Sequence, residues 1–535
     1  MIRSAGEHRL SPLFWPALAS FAFATGLLHA WLTVLAPDAA RFSFDGAQYA
    51  LAGRTWLATG RLATPFVHPA LVGDLTGPPW PLIAGQPMVP GLDALAFALF
   101  GATPDATLVP PLLAFVGATL LTARLAWGLT SSAMAAAAAG LVFAMTPWAL
   151  GFAVTGMTEM PFALLLAAIL VVLWETPEHP RPARLGLLLA LAHLTRPVLL
   201  PLLPALVIGF LALTPATRRL PSLLRLAFGF VPLVGAAWLL QKLSYAGGHP
   251  GSAAYLLLTG LDPGFTVARL NRMMPPPDAI EWVRTHPAAF MAKFEHNVRA
   301  LAYAAWSLGG RWPGVFAIVA GVLALRSADA RARAFVLTGL AAATTLVAIS
   351  AATVADPRML FPLLGLTLAM AVAGLARLAE AIGRGRRGLV NAVLLVAVLA
   401  GALPLAFTWR STSGRPVAIR ERDWRGVGLA VRAMLPNEGV VASDAPPWFA
   451  WYADRAVTIV PLTPDDLLRM PERLRPVAVV LTDEWLVRRP GEEAWRHAFE
   501  SRTPPTGFVL GGHARSGALG AVVFVREDVA GTLTE

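Results

Sequence analysis

The 535-residue chain has no cysteine, which removes disulfides, thiolate catalysis and thiolate metal ligation together. It is also poor in charge: Asp, Glu, Lys and Arg make up 14% of it, against about 25% in soluble globular proteins. Acids are the scarcer sign, 32 against 43 Lys and Arg, for a formal net charge of +11. The basic excess is dispersed in small clusters between apolar runs rather than gathered on one face. It therefore argues against a nucleic-acid partner and reads as topogenic, setting orientation through the positive-inside rule. No G-x-x-x-x-G-K-[ST] phosphate loop, internal repeat or low-complexity tract occurs. No H-x-x-x-H or H-E-x-x-H spacing supports a metal, so His193 and His249 read as satisfied or exposed histidines.

What is present is apolar: 56% of residues are hydrophobic, and the mean hydropathy is +0.60. Charge-poor stretches of about 20 residues, enough to cross a bilayer, recur through the first 410 residues between short Arg-bearing breaks. The expected fold class is an α-helical polytopic membrane protein, with about eleven transmembrane helices in 1–410 and an extracytoplasmic α/β accessory domain in 411–535. The first span, 11–36, has no cleavage pattern after it and reads as retained, with Arg3 and Arg9 holding the N-terminus in the cytoplasm. Ala/Arg/Gly/Pro-rich usage suggests a GC-rich bacterium, and hence a multi-pass protein of the bacterial inner membrane with its C-terminal domain in the periplasm.

Two segments are too polar to lie in lipid and form outer loops, about 37–104 and 244–300. In the first, 46–60 reads as an interfacial amphipathic helix that Asp45 is placed to cap, and 88–100 as a second short helix too short to span. In the second, Met273 to Asp278 is extended and 279–298 is an amphipathic helix. Later spans are expected at about 303–325, 335–354, 359–379 and 389–409.

With that topology, Asp45, Glu159, Arg196 and the Asp356/Arg358 pair all fall at outer span ends. Arginines there could hold an anionic lipid headgroup while a carboxylate activates an acceptor hydroxyl. Each also has a structural reading: a cap for Asp45 and Asp356, a helix-dipole partner for Glu159, and snorkelling for the arginines. Asp74 and Asp93 read as solvated or structural. The aromatic run Trp448 to Arg455 fits either sugar stacking or core packing.

The ordered pieces resemble a known family. They are Asp45 followed by Tyr49, Ala50, Arg54 and Gly60; then Gln86-Pro87 through Leu99-Phe100-Gly101; and then Thr158 to Phe162, Leu194 to Pro197 and Arg358 to Pro362. In this order they resemble GT-C glycosyltransferases, within them the group of protein O-mannosyltransferases and aminoarabinose transferase. The resemblance implies an inverting membrane enzyme that takes sugar from a polyprenyl-phosphate-linked donor at the outer face, with no required cofactor and a divalent metal not excluded. It implies Asp45 and Glu159 as catalytic acids, and Arg358 near the donor phosphate with Arg196 as a second basic group. Tyr49, Arg54, Gln86 and Asp356 would belong to the substrate loop. Gly46 stands where a second acid is common, Gln86 where Lys is common and Met359 where Tyr is common. The sugar stays open, as does the acceptor, whether lipid, glycan or protein. The competing readings are a transporter or flippase for lipid-linked saccharides and a non-catalytic polyprenyl-binding protein.

Overall fold

Apolar segments in lipid must satisfy their backbone internally, so they fold as helices. The computed structural model describes residues 10–35, 42–71, 77–82, 86–244, 253–262, 264–307, 311–383, 387–412, 420–484 and 492–531. Arg3, Arg9, Asp74 and His249 lie outside the described residues.

The chain begins with α1 (Phe14–Thr33) and continues into a loop segment with α2 (Phe44–Thr59), β1 (Ala63–Thr64), β2 (Phe66–Val67), β3 (Trp80–Pro81) and α3 (Met88–Phe100). The helical body follows with α4 (Val109–Thr130), α5 (Ala133–Met145), α6 (Pro147–Ala153), α7 (Glu159–Glu175), α8 (Pro182–Thr195), α9 (Leu199–Leu213) and α10 (Arg219–Ser244). A second loop segment holds α11 (Val267–Leu270), α12 (Ala279–Thr285) and the start of α13 (Pro287–Ser307). The body closes with α14 (Trp312–Arg326), α15 (Ala330–Ala352), α16 (Leu364–Ile382) and α17 (Arg387–Thr412).

Five described helical segments are long and apolar enough to cross a membrane, and α5 with α6 makes a sixth, bent by 62°. The bend falls at Thr146, which is extended (φ −73°, ψ 124°) because the ring of Pro147 disfavours helix in the preceding residue. The chain is thus a multi-pass membrane protein. The expected eleven crossings would also need helices such as α8, of 14 residues, which reach only about 21 Å against a hydrocarbon core of about 30 Å. The single span expected at 303–325 is divided, since α13 ends at Ser307 and α14 starts at Trp312.

α7 is apolar and buried nearly all round, among α4, α8 and α16, as such a helix must be. Small residues bring backbones together elsewhere. A Cβ at Gly186 of α8 would meet the carbonyl oxygen of Leu226 in α10 at 2.0 Å, and one at Gly229 of α10 would meet that of Ala183 at 2.2 Å.

The C-terminal unit carries α18 (Glu421–Met434), β4 (Val440–Ser443), α19 (Pro446–Tyr452), β5 (Ala456–Ile459), β6 (Pro476–Thr482), α20 (Glu493–Ser501), β7 (Phe508–Ser516), β8 (Leu519–Arg526) and α21 (Glu527–Ala530). Its sheet order is β2-β5-β4-β6-β8-β7. β2 comes from the first loop segment and pairs parallel with β5, Phe66 opposite Val457. The α/β alternation expected after 411 is present, but the sheet borrows one edge strand whose residues lie 391 positions upstream of their partners. The aromatic run is core: Trp448 and Trp451 are 5% and 7% exposed, so a sugar cannot stack on them. They pack with Phe42, Leu51 and Phe97 of the first loop segment.

Candidate active site

Three breaks between apolar helices, together with the start of α2, place charged side chains at one end of the body. Ser43 caps α2, accepting from the Gly46 amide at 3.0 Å and donating to the Thr155 carbonyl at 2.9 Å. Asp45 is therefore not the cap expected from the sequence. It sits in the first turn with its carboxylate free to meet Arg358, whose Nη1 donates to Oδ2 at 2.8 Å. Arg358 opens the turn Pro357–Leu363. Asp356 caps that turn, accepting the Arg358 amide at 2.9 Å, and also pairs with the Arg358 Nε at 2.8 Å.

Glu159 begins α7 and Arg196 follows the end of α8. They pair at 2.9 Å, with 2% and 10% of their side chains exposed. Glu159 Oε1 also lies 3.9 Å from Arg358 Nε, and Arg196 Nη2 reaches the Met359 sulfur at 3.0 Å. The cluster thus joins three carboxylates and two guanidiniums from four segments.

Tyr49 lies one turn beyond Asp45 on the same face of α2. Burial, and then the negative charge of Asp45 and Glu159, push its phenol well up, so it stays protonated and donates a hydrogen bond to Gln86 Oε1 at 2.7 Å. Gln86 thereby ties the start of α3 to α2. Arg54 points away from the cluster. Its guanidinium donates to the carbonyls of Trp451 (3.0 Å) and Ala450 (2.9 Å) and lies 4.6 Å from the Trp451 ring. It joins the first loop segment to the C-terminal unit rather than facing open space.

Two hollows flank the cluster. A cavity of about 380 Å³ lies between the two loop segments and the C-terminal sheet, with Asp45, His68, Asn271 and Asp444 on its wall. An apolar groove of about 300 Å³ runs between α2, α3, α8 and α10, lined by residues such as Trp56, Met88, Leu194 and Leu240. Leu194 of the groove is two residues from Arg196 in the chain, and Pro87 is next to Gln86. Sequence reading singled out none of His68, Asn271, Arg272 and Asp444. No local motif marks them, because segments some 200 to 400 residues apart bring them together.

No protein-family model matches this sequence, and no curated protein matches it significantly. Solved structures do. ArnT from Cupriavidus metallidurans, bound to undecaprenyl phosphate, is similar at 14% identity and TM-score 0.55, covering 96% of this chain and 98% of that one. The Archaeoglobus fulgidus oligosaccharyltransferase, solved with zinc and sulfate, is similar at 15% identity and TM-score 0.54, covering 88% and 67%. The oligosaccharyltransferase AglB from Archaeoglobus fulgidus, solved with an inhibitory peptide and a dolichol-phosphate, gives 13% and 0.55, covering 87% and 69%. Among the described residues no group of three His, Asp or Glu side chains is arranged to hold a metal ion, and the Asp45, Glu159 and Asp356 carboxylates are turned toward guanidiniums. At these identities the likeness shows the fold alone: the chain shares the architecture of these solved membrane enzymes.

Proposed function

We propose that the chain is an inverting glycosyltransferase, moving a sugar from a polyprenyl-phosphate donor to an acceptor at the periplasmic face of a bacterial inner membrane. The observation that carries this is the Asp45–Arg358 pair at 2.8 Å, about a third exposed on each side, on the wall of a cavity in a membrane protein of GT-C fold. The neighbours solved with undecaprenyl phosphate and dolichol-phosphate support a lipid-linked donor.

A phosphate-linked sugar already has a good leaving group. The protein must orient two substrates, neutralise the departing phosphate and take a proton from the nucleophile. The groove would hold the isoprenoid chain and Arg358 the phosphate. The acceptor oxygen attacks the anomeric carbon from the side opposite the phosphate. The carbon–oxygen bond to phosphate breaks with its electron pair leaving on the lipid phosphate, and the acceptor proton passes to Asp45. Three carboxylates face two guanidiniums before the donor arrives, so the phosphate competes with Asp45 for Arg358. Winning that competition frees the Asp45 carboxylate to act as base. Glu159 then holds Arg196 and Arg358 in place rather than meeting substrate.

Asp45→Asn keeps the side-chain shape and removes the base. Transfer of radiolabelled sugar in proteoliposomes should fall about 10²–10⁴-fold with unchanged thermal unfolding. Near wild-type transfer by the variant refutes the assignment. Movement of the lipid-linked sugar across the bilayer without a new covalent product would identify a transporter instead.

A further inference from the structure

The cavity beside Asp45 is walled by three segments distant in sequence, and every charged group on it already has a partner. Asp45 meets Arg358 at 2.8 Å. The Arg272 guanidinium is bound to Glu492 at 2.6 Å and to the carbonyls of Val460, Pro461 and Leu462. Asp444 accepts from the Thr482 amide at 3.0 Å and its hydroxyl at 2.9 Å.

The groups left over are neutral. Gln48 makes no hydrogen bond among the described residues. The Tyr255 hydroxyl donates to Asn271 Oδ1 at 2.6 Å. Burial pushes that phenol up to about 12, so it remains a donor and fixes the amide with its NH₂ group unpaired among the described residues. His68 has Nδ1 buried without a partner. Burial lowers its ring to about 4 despite the nearby Asp45 charge, so it is neutral at physiological pH. Phe44 and Ile459 supply apolar wall. His68 Nδ1, buried and unpaired, is costly until a ligand satisfies it.

We infer that this cavity is the subsite for an uncharged sugar ring, with Gln48, His68 and Asn271 reading its hydroxyls and Phe44 and Ile459 facing its C–H surface. The inference rests on the transferase reading and deepens it: phosphate goes to the arginine cluster, sugar to the neutral cavity. No free cation lines the cavity among the described residues, so a phosphate or carboxylate has no counter-charge there. The volume, about 380 Å³, lies in the range of about 300–1,000 Å³ usual for small-molecule sites. The ring could belong to the donor or to an acceptor glycan, and the C-terminal sheet contributes to its pocket in either case.

The test measures binding by the full chain in detergent. The probes are bare polyprenyl phosphate, polyprenyl phosphate carrying a neutral hexose, and a panel of neutral and anionic oligosaccharides offered with the bare lipid. Gln48→Ala and Asn271→Ala should each weaken the sugar-bearing lipid about 5- to 10-fold, the loss of one hydrogen bond, while leaving bare lipid unchanged. That result assigns the donor sugar. The same loss confined to neutral oligosaccharides assigns an acceptor glycan. Equal wild-type affinity for glycosylated and bare lipid with no oligosaccharide bound overturns the inference. So does equal binding of anionic sugars, or no change in either variant. Gln48 is half-exposed, so its variant should keep the wild-type melting temperature and report on binding alone. Arg358→Ala is the separate control: if it weakens neither lipid, the phosphate assignment fails, while the sugar subsite is still judged by Gln48 and Asn271.

Discussion

Arg196 places its guanidinium 2.9 Å from Glu159 in a setting where 10% and 2% of the two side chains are exposed. Arg358 meets Asp45 at 2.8 Å with 32% and 37% exposed. Removing one partner of a buried pair strands the other charge, at a cost of about 3–5 kcal/mol, whereas a pair open to solvent contributes about 1 kcal/mol or less. Arg196→Ala should therefore lower the melting temperature sharply, and Arg358→Ala should barely move it while weakening donor binding. Equal thermal shifts for the two variants would contradict this division. Both arginines were legible in the sequence as cations at span ends, since charge between apolar runs is a local property. Their different burial was not, because it depends on which helices pack around them. For Asp45 the capping reading failed for a related reason: Ser43, two residues earlier, takes the cap and leaves the carboxylate for Arg358.

At the scale of elements, the start of α2 is held by a close approach. A Cβ on Gly46 would fall 2.3 Å from the Thr155 carbonyl oxygen and 2.8 Å from Ser43 Oγ, so only glycine fits beneath the cap. This explains why no second acid follows Asp45. Gly46→Asp should force α2 off Thr155, costing about 1–3 kcal/mol or more by overpacking, and should abolish transfer by displacing Asp45. Gly151→Ala, where a Cβ meets nothing within 4 Å, is the matched control and should leave melting and activity near wild type. Long apolar runs made most helices readable, including α3, whose bounds of 88 and 100 match the expectation. The break between α13 and α14 and the edge strand β7 were not readable. β7 is largely exposed and carries Gly511 and Gly512 at a register shift, so it lacks the alternation that marks a half-buried strand.

For the whole molecule, the C-terminal unit is tied to the body through the loop segments rather than through a linker alone. β2 extends its sheet, Arg54 reaches its carbonyls, and Arg272 enters it to meet Glu492 with 2% and 6% of the side chains exposed. Arg272→Met should destabilise the chain by about 3–5 kcal/mol, because Glu492 is left buried and unpaired. Adding Glu492→Met should restore part of that loss, and the remainder reports the Pro461 and Leu462 carbonyls that Arg272 also satisfies. A double variant no more stable than the single one would place the ion pair outside the joint's stability.

By itself the sequence determined that the chain is helical and membrane-embedded, that strands and helices alternate after 411, and which few charged residues stand between apolar runs. Those properties are local, set by run length, residue type and the cost of charge in lipid. Only the tertiary structure decided that Asp45 meets Arg358 across 313 residues, that Glu159 holds Arg196, and that a two-residue strand completes a distant sheet. It alone also enclosed the neutral cavity beside Asp45. Such pairings follow from how apolar surfaces pack over long loops, and no spacing along the chain encodes them.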